Sequence, residues 1–359
     1  MPKIYIAGAH SRAQTVAHYL TYLDNTTEII AYLYDNDEDN PTEVNGIPVI
    51  KLSGDTLLDT SCRVFLGVRG VNMEHLSNTL TQCGMKDIVP VDADLDMKLR
   101  NEYLEKYYDE QGIDFLRVDM LRSDGSVSHD ISGRIFVANS VFDGKLSDVY
   151  EMINEEAILQ VGANLTDSRI EGCKFFDNTG DNISNRNKQF CELTGLYWVW
   201  KNATEDYVGL VHYRRHFLLP KDWISVCKEN DIDVILPVPL YVGPSVEENY
   251  RMRHVSEDWD FVMDYIKENH AKEYEDVVSF FEGSLYCPCN MMIAKKEVFD
   301  ELCSWMFPIV FALYEHVGVH EDSYQNRYPG FVSERLITYF FESRRDKYNL
   351  VYCNKNFLK

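Results

Sequence analysis

A histidine, a tyrosine and two arginines stand together after an apolar stretch with the character of a strand. The predicted strand is Tyr207 to Val211, and His212, Tyr213, Arg214 and Arg215 follow it directly. Two guanidinium groups beside an imidazole suit the paired oxygens of a diphosphate. The same residues would also suit a structural cluster of ion pairs with nearby carboxylates. We predict that these four residues, called the 212–215 segment below, bind an anionic ligand.

A polar loop at residues 177–184 lies upstream of that strand and is rich in Asp, Asn and Gly. Its carboxylates could hold a divalent cation, bind sugar hydroxyls, or form turns that cap the next helix. Asp177 and Asp181 are the metal-ligand candidates if a metal is bound. The further candidates for donor binding in this part of the chain are Gly162, Thr179, Asp181 and Asn182.

Two later segments place polar residues at predicted element boundaries. Cys289 and Asn290 stand at a predicted strand entrance, where they could line a sugar-sized pocket or simply begin the strand. Glu334 follows Ser333, the predicted cap of a helix, and a carboxylate in the first helical turn is favoured by the helix dipole. Asp322 lies shortly before it. The candidates for contact with an acceptor are Asn290, Cys289 and Arg335.

The overall composition narrows the classes of partner. The 359 residues include 58 Asp and Glu against 35 Lys and Arg, which gives a formal charge of −23. Such a surface argues against nucleic acid and anionic bilayers as partners, because both need clustered cations. No apolar run approaches the length of a membrane span, and the first residues do not have the form of a signal peptide. We therefore expect a cytoplasmic protein whose nine scattered cysteines are reduced.

The first part of the chain alternates strand and helix signals. Residues 1–95 form a regular βαβ series, which predicts a Rossmann-like module with a small parallel sheet. The turn after the first strand, residues 8–13, carries only one of the three glycines of a dinucleotide fingerprint, although Asp35 stands where a ribose-binding acid would be. The module could therefore bind a nucleotide, or it could have the Rossmann-like fold without binding a dinucleotide. Its layout, with Asn45 to Val49 after an acidic loop, resembles the sugar-nucleotide-binding modules of bacterial sugar acyltransferases.

The rest of the chain is predicted to be a second α/β domain. Residues 96–125 are charged and helix-prone and are predicted to be a helical linker. Residues 126–359 again alternate strands with helices, among them a helix predicted from about Lys188 to Asn202 and a strand from Cys289 to Ala294. This pattern predicts a mainly parallel sheet covered on both faces. In such a sheet ligands lie at the carboxyl ends of the strands, where the candidate residues above are found.

Several of these segments, taken in order, resemble one known family. The loop at 177–184, the run Cys191 to Asn202, the strand with the 212–215 segment, and Gly330 to Leu336 look like the bacterial capsular and exopolysaccharide family long catalogued as a domain of unknown function. The resemblance covers roughly residues 130 to 355. One difference is that Asn139 and Ser140 stand where the family usually has a His-Lys pair.

This resemblance implies a glycosyltransferase of the GT-A type, a nucleotide-sugar donor that is UDP-linked, and an oligosaccharide acceptor carried on a lipid diphosphate. Some members are galactofuranosyltransferases, so the resemblance implies transfer of galactofuranose or another hexose. In GT-A folds an Asp-x-Asp motif usually holds Mn²⁺ or Mg²⁺, but here the equivalent strand leads into the 212–215 segment. We expect Arg214 and Arg215 to take over some or all of the metal's role.

Inversion at the sugar carbon requires a base, for which Glu334 is the first candidate and Asp322 the second. An acceptor on a lipid would bring the enzyme to the inner face of the cell membrane. Two other functions stay open from the sequence. One is a non-catalytic protein that binds carbohydrate or nucleotide sugar, and the other is a nucleotide-sugar oxidoreductase that uses the first module.

Overall fold

The computed structural model describes residues 1–53, 55–68, 70–124 and 131–359. The described chain divides into two compact units, Met1–Phe115 and Leu116–Lys359. Both contain helices and parallel-rich sheets, so the predicted α/β class is confirmed.

The first unit is built around a six-stranded sheet in the order β3-β4-β2-β1-β5-β6. Its elements are β1 (Lys3–Ala7), α1 (Ser11–Leu23), β2 (Glu28–Tyr34), β3 (Glu43–Val44), β4 (Ile47–Lys51), β5 (Arg63–Leu66), α2 (Val71–Gln82), β6 (Ile88–Pro90) and α3 (Ala93–Glu110). All strand pairs are parallel except the short β3–β4 pair. The sheet is thus the parallel one that the βαβ series predicts.

Each face of this sheet has its own apolar core, because side chains of a strand point alternately to opposite faces. Tyr5 and Ala7 of β1 pack in one cluster with Leu76 and Leu80 of α2. Ile4 and Ile6 pack in a second cluster with residues of α1, among them Ala13, Val16 and Ala17. Gly67 permits close contact with α1, since a Cβ at this position would lie 2.7 Å from Ala13 Cα.

The second unit is built around a seven-stranded sheet in the order β15-β11-β14-β10-β7-β8-β9. Its strands are β7 (Gly133–Asn139), β8 (Glu156–Gln160), β9 (Phe175–Phe176), β10 (Tyr207–His212), β11 (Val234–Pro237), β12 (Leu240–Tyr241), β13 (Leu285–Tyr286), β14 (Met292–Lys295) and β15 (Leu350–Cys353). In the large sheet β14 is antiparallel to both of its neighbours, β10 and β11, and the other pairs are parallel. The remaining two strands, β12 and β13, form a separate antiparallel pair.

The α-helices of this unit are α4 (Asn187–Phe190), α5 (Leu193–Asn202), α6 (Trp223–Glu229), α7 (Val246–Arg251), α8 (Ser256–Asn269), α9 (Tyr274–Phe281), α10 (Lys296–Val317) and α11 (Tyr328–Glu342). Apolar strand residues such as Val211 and Ile293 form one core with Trp223 of α6. Gly195 of α5 allows this helix to lie against the sheet, because a Cβ there would be 3.0 Å from the Val161 side chain.

Three predicted boundaries in this unit are wrong, and each error falls beside the candidate site. The helix predicted from Lys188 to Asn202 is interrupted at Cys191, whose φ is 46°. The strand predicted from Cys289 begins only at Met292. The helix predicted to begin at Ser333 begins at Tyr328, so Ser333 is an internal residue and not a cap.

The region predicted as a linker, residues 96–125, is divided between the units. Helix α3 belongs to the first unit, and the second unit begins at Leu116. The predicted boundary at 125–126 lies outside the described residues. In the part of the chain that the structure describes, no helix is long and apolar enough to cross a membrane.

Candidate active site

The candidate site lies at the carboxyl end of β10, near the middle of the large sheet. His212 ends β10 and is paired in register with Ala138 of the parallel strand β7. Because β14 is antiparallel to β10, the residues that precede Met292 lie at this same edge. The 212–215 segment and the Cys289–Asn290 turn therefore meet, as the strand-end argument predicts.

Glu192 stands beside His212 and links the strand to a helix. Its Oε1 is 4.0 Å from His212 Nε2, and both side chains are mostly buried. On the other side of the ring, Arg215 Nη1 lies 3.4 Å from His212 Nδ1. Burial lowers the pKa of His212 against the attraction of Glu192. Burial acts to raise the pKa of Glu192, but His212 and the Asn290 amide outweigh it, so this carboxyl has a lowered pKa and is anionic.

Asn290 fixes the position of Glu192. Its side-chain Nδ2 donates to Glu192 Oε1 at 2.9 Å and to the Gly330 carbonyl at 3.0 Å. Its Oδ1 accepts from Ser333 Oγ at 2.9 Å, and the residue is only 2% exposed. Asn290, predicted to contact an acceptor sugar, is thus bonded within the protein on both sides of its amide. Its place in the structure is that of a support that ties Glu192 to α11.

Glu334 is the second carboxylate of the site, and its pKa is shifted in the opposite direction from that of Glu192. Its Oε1 accepts from the backbone N–H of Cys289 at 2.7 Å. Its Oε2 lies 3.9 Å from Arg335 Nη1. Burial raises the pKa of Glu334, Arg335 opposes this, and the negative charge of Glu192 adds to it. The two carboxyls of the site therefore have pKa values shifted in opposite directions, a pattern that assigns different roles to two acids in one site.

Arg335, predicted to contact an acceptor, is almost fully buried in α11. Its guanidinium lies 5.0 Å from the ring centre of Tyr250 and 4.8 Å from that of Tyr286. Its Nη1 donates to the Phe331 carbonyl at 2.7 Å. Cation–π contact on two rings holds this charge inside the protein. Arg335 can tune Glu334 by its charge, but it is not placed to reach a sugar.

The arginines of the 212–215 segment are ordered by a ring near the carboxyl end of the chain. The guanidinium carbons of Arg214 and Arg215 lie 5.4 and 5.2 Å from the ring centre of Phe357. The backbone N–H of Leu358 donates to the Arg214 carbonyl at 2.9 Å. Among the described residues Arg214 Nε is buried and has no hydrogen-bond partner, which leaves the terminal Nη groups as the donors that a ligand can reach. This pair of cations thus stands beside the site with donor capacity available for an anion.

Tyr213 links the 212–215 segment to the neighbouring strand. Its backbone N–H donates to the Ala138 carbonyl at 3.0 Å. Its ring is half-buried and packs against the main core of the unit. Tyr213 therefore contributes to the packing of the unit.

Non-glycine residues with positive φ concentrate at this site. Cys191, Cys289 and Asn290 have φ values of 46°, 82° and 49°. Each lies within one residue of the Glu192–Asn290–Glu334 contacts. Such conformations cost about 1 to 3 kcal/mol each and are typical of functional sites, where the surrounding structure imposes them.

Three charged residues of the site were not predicted from the sequence. Glu192 is one of them. Arg327 is another, and its Nε lies 3.2 Å from Cys191 Sγ. Asp143 is the third: burial raises its pKa, while Arg214 and Arg327 act to lower it. The position of Glu192 could have been predicted from the sequence. A helix that directly precedes a parallel strand begins at the sheet edge where that strand ends, and Glu192 lies at the start of such a helix. The positions of Arg327 and Asp143 could not have been predicted, since no spacing relates them to β10.

Asp177 is a structural residue. Its carboxylate is fully buried and accepts from the backbone N–H groups of Gly162 at 2.8 Å and Ala163 at 2.9 Å. It also accepts from the hydroxyls of Ser184 at 2.5 Å and Thr194 at 2.6 Å. These four bonds use the lone pairs that a metal would need. They also engage the N–H of Gly162, so this glycine has no free N–H to offer a donor substrate.

The rest of the acidic loop turns away from the site. Thr179 accepts a hydrogen bond from Trp198 Nε1 at 3.0 Å, in the middle of α5. The carbonyl of Asp181 accepts from Asn202 at the end of the same helix, and Asn182 donates to Gly180. Since Glu192 lies just before the start of α5, the loop follows the helix away from His212. The structure does not bring Thr179, Asp181 or Asn182 to the 212–215 segment.

Asp322, the second candidate for a base, closes a turn. Its Oδ1 accepts from the backbone N–H groups of Tyr324 at 2.9 Å and Gln325 at 2.8 Å. Gln325 Nε2 in turn donates to the Arg253 carbonyl at 2.9 Å. Asp322 thus orders the chain just before α11 and makes none of the contacts of Glu334.

A Mn²⁺ or Mg²⁺ site does not fit the residues that meet here. Across the described part of the chain, no three His, Cys, Asp or Glu side chains converge to hold a metal ion. Both ions require several oxygen ligands around one point. Asp177 is saturated by hydrogen bonds, and Asp181 lies at the far side of α5.

A cavity of about 330 Å³ lies at the amino end of β10 and is lined by Tyr207, Lys295 and Asp231, among others. Two of its charges are paired, because Lys295 Nζ is 2.7 Å from Asp231, and the same Nζ is 2.8 Å from Asp233. We place the site at the carboxyl edge, because the carboxyls of shifted pKa and the strained backbone are there.

The carboxyl edge of the sheet in the first unit has a different character. Asp35 accepts from Thr79 Oγ1 at 2.7 Å, and His75 Nδ1 lies 2.8 Å from the same oxygen. Arg12 donates to the Val91 carbonyl at 2.7 Å. The acid that would bind a ribose is therefore already engaged by side chains of α2.

Comparison with known proteins places the second unit in a family. A family model described as a domain of unknown function, DUF4422, matches residues 148–345, which is more than half of the chain. The chain belongs to the DUF4422 family. The matched range contains Glu192, the 212–215 segment, Asn290 and Glu334. Asp143 and Phe357 lie outside it.

A solved structure has a similar fold. The apo structure of WbbM, a bifunctional glycosyltransferase, matches with a TM-score of 0.55 at 24% identity, over 64% of this chain and 45% of the WbbM chain. The match spans less than half of WbbM, and at this identity it establishes the fold. It agrees with the predicted GT-A-like α/β architecture. Among curated proteins no match was found.

Proposed function

We propose that the second unit is a glycosyltransferase that moves a sugar from a nucleotide-sugar donor to an oligosaccharide acceptor. The observation that carries this proposal is the pair of carboxyls with opposite pKa shifts, Glu192 and Glu334, beside an imidazole and two arginines at one sheet edge. A raised pKa suits a general base, and fixed cations suit a diphosphate leaving group. The fold shared with WbbM, a bifunctional glycosyltransferase, supports the same assignment.

In this proposal Arg214 and Arg215 hold the diphosphate of the donor. The forked donors of both guanidinium groups can pair with oxygens of both phosphates. Negative charge grows on the leaving oxygen as its bond to the sugar breaks, and preformed cations stabilise that charge without reorganisation. Phe357 keeps the two arginines in place through its ring.

Glu334 serves as the base for the acceptor. The acceptor hydroxyl gives its proton to the Glu334 carboxylate as its oxygen bonds to the anomeric carbon. The bond from that carbon to the diphosphate breaks, and the nucleoside diphosphate leaves with the electron pair. One bond forms and one breaks at carbon, so this single displacement inverts the anomeric centre. Glu192 stays anionic and positions His212.

The finer features of the proposal concern the substrates. We propose a UDP-linked donor carrying galactofuranose or another hexose, and a growing capsular or exopolysaccharide chain on a lipid diphosphate as acceptor, met at the inner face of the membrane. The residues that meet at the site do not form a metal-binding set, so we derive no step through Mn²⁺ or Mg²⁺.

The decisive experiment incubates the protein with a panel of UDP- and CMP-sugars, with and without oligosaccharide acceptors, and measures nucleotide release. We expect release from one donor class, stimulated by acceptor and unchanged by EDTA. If EDTA abolished the activity and Mn²⁺ restored it, the metal-free mechanism would be wrong. Absence of both release and donor binding across the panel would reject the glycosyltransferase proposal.

A further inference from the structure

Beside Glu334 the structure has an exposed aromatic surface that the reaction described above does not use. Tyr324, Phe331 and His254 form a stack of three rings, called the aromatic platform below. The ring centres of Tyr324 and Phe331 are 5.0 Å apart, and those of His254 and Phe331 are 3.9 Å apart. Tyr324 is 52% exposed, and Phe331 and His254 are partly buried beneath it. Large exposed aromatic rings fixed in one place are typical of binding surfaces.

The aromatic platform is continuous with the site. Phe331 precedes Glu334 by three residues in α11, so the two side chains lie on the same face of the helix. The Arg327 guanidinium lies 5.9 Å from the Phe331 ring centre and also contacts Cys191, the neighbour of Glu192. The platform therefore lies within one helical turn of the carboxyl that serves as base.

The platform is also held rigidly. Asp322 accepts two backbone N–H bonds from Tyr324 and Gln325, and Gln325 is bonded to the Arg253 carbonyl. Burial lowers the pKa of His254 to about 4, so its ring is neutral at physiological pH and stacks as an uncharged ring. A preformed surface binds without the entropy cost of ordering its side chains.

We propose that the aromatic platform binds the acceptor, with the ring of Tyr324 stacked on the apolar face of the acceptor sugar next to the hydroxyl that reacts. This inference rests on the proposed function, because it assigns an acceptor subsite to Glu334. The C–H groups of a sugar face are slightly positive and fit the negative face of an aromatic ring. Asp322 is then a positioning residue that keeps Tyr324 in place.

The test uses the full chain, UDP, and methyl glycosides of galactose, glucose and N-acetylglucosamine as probes. Glycoside binding is measured by saturation-transfer NMR and UDP binding by calorimetry. We expect Tyr324→Ala to weaken glycoside binding by about three- to tenfold and to leave UDP binding unchanged. Tyr324→Phe keeps the ring and should bind like the wild type. Tyr274→Ala removes a ring from the distant helix α9 and should change neither probe.

Each outcome decides the proposal. Unchanged glycoside binding in Tyr324→Ala, or no glycoside binding by the wild type, overturns it. A loss of UDP binding in Tyr324→Ala with glycoside binding intact also overturns it, because the ring would then serve the nucleotide. The NMR measurement needs no turnover, so a failure of the glycosyltransferase proposal appears separately, as absence of nucleotide release by the wild type.

Turnover separates the two roles considered for Asp322. If it positions Tyr324, Asp322→Ala raises the acceptor KM and leaves kcat nearly unchanged. A collapse of kcat with unchanged KM would instead make Asp322 a catalytic residue and would contradict the positioning role.

Discussion

At the carboxyl edge of the first sheet, Asp35 is paired with His75 and Thr79, on a helix of the same unit. At the carboxyl edge of the second sheet, Glu334 is buried, accepts one backbone N–H and lies 3.9 Å from the Arg335 guanidinium, and its pKa is nevertheless raised. Both carboxylates stand where an α/β sheet offers a ligand site. Asp35 is held by two side chains of α2. The pKa of Glu334 is raised because the effect of its burial outweighs the attraction of Arg335.

The difference also appears in the backbone. In the second unit three non-glycine residues with positive φ surround the carboxyls, while at the turn after β1 the positive φ belongs to Gly8, which adopts it at little cost. The lesson is that a shared architecture does not decide where chemistry occurs. A buried carboxyl with a raised pKa and a strained backbone are better indications of where chemistry occurs, because a protein keeps such features only where surrounding contacts enforce them.

The sharpest test of this contrast replaces each carboxyl by its amide. Glu334→Gln should lower kcat by a factor of about 10³ or more, since it removes the base but keeps the shape of the side chain. UDP affinity should stay at the wild-type value. Asp35→Asn is the matched control in the first unit and should keep full activity. Near-normal turnover of Glu334→Gln would remove Glu334 from this role.

The cations provide the next test. Arg215→Ala should lower kcat by about 10²–10³-fold, because a fixed charge facing the leaving diphosphate is lost. Arg215→Lys keeps the charge but not the fork and should be intermediate. The control is Arg63→Ala, which breaks an exposed ion pair with Asp87 in the first unit. Steady-state kinetics on purified variants decides this prediction, and equal rates for Arg215→Ala and Arg63→Ala would contradict it.

Two acids of the loop at 177–184 should differ in how much they contribute to stability. Asp177→Ala removes an acceptor of four hydrogen bonds and should lower the free energy of unfolding by about 3 kcal/mol. Within the described residues the Asp181 carboxylate has one side-chain hydrogen bond, from the Tyr197 hydroxyl at 3.2 Å, so Asp181→Ala should change this free energy by less than about 0.5 kcal/mol. Urea unfolding measures both. A larger effect for Asp181 would reverse the assignment.

The smallest expected effects concern pH and stability. Because burial raises the pKa of Glu334, the rate should fall on acidification through a pKa above the ordinary value of 4.5. A raised carboxyl pKa means that its contribution to stability is present at low pH and is lost as pH rises. Glu334→Gln should therefore raise Tm by about 2 to 4 °C at neutral pH, with the gain shrinking below the ordinary pKa. A lower Tm for this variant at neutral pH would show that the carboxylate is not costly.

The 359-residue sequence by itself determined the α/β class, the parallel sheet of the first unit and the strand that leads into His212, because apolar periodicity and turn residues are local signals. It also identified the 212–215 segment and Glu334 as candidates. It could not separate Asp177 from a metal ligand, since the four donors around it come from three different segments.

Only the tertiary structure decided which polar groups meet. Glu192 is 20 residues from His212 and Asn290 is 98 residues from Glu192, and no local pattern encodes such a meeting. The left-handed turns at Cys191 and Cys289 broke the predicted helix and strand at the site. They did so because tertiary contacts there outweigh local propensity, and burial and pKa shifts exist only once the chain has folded.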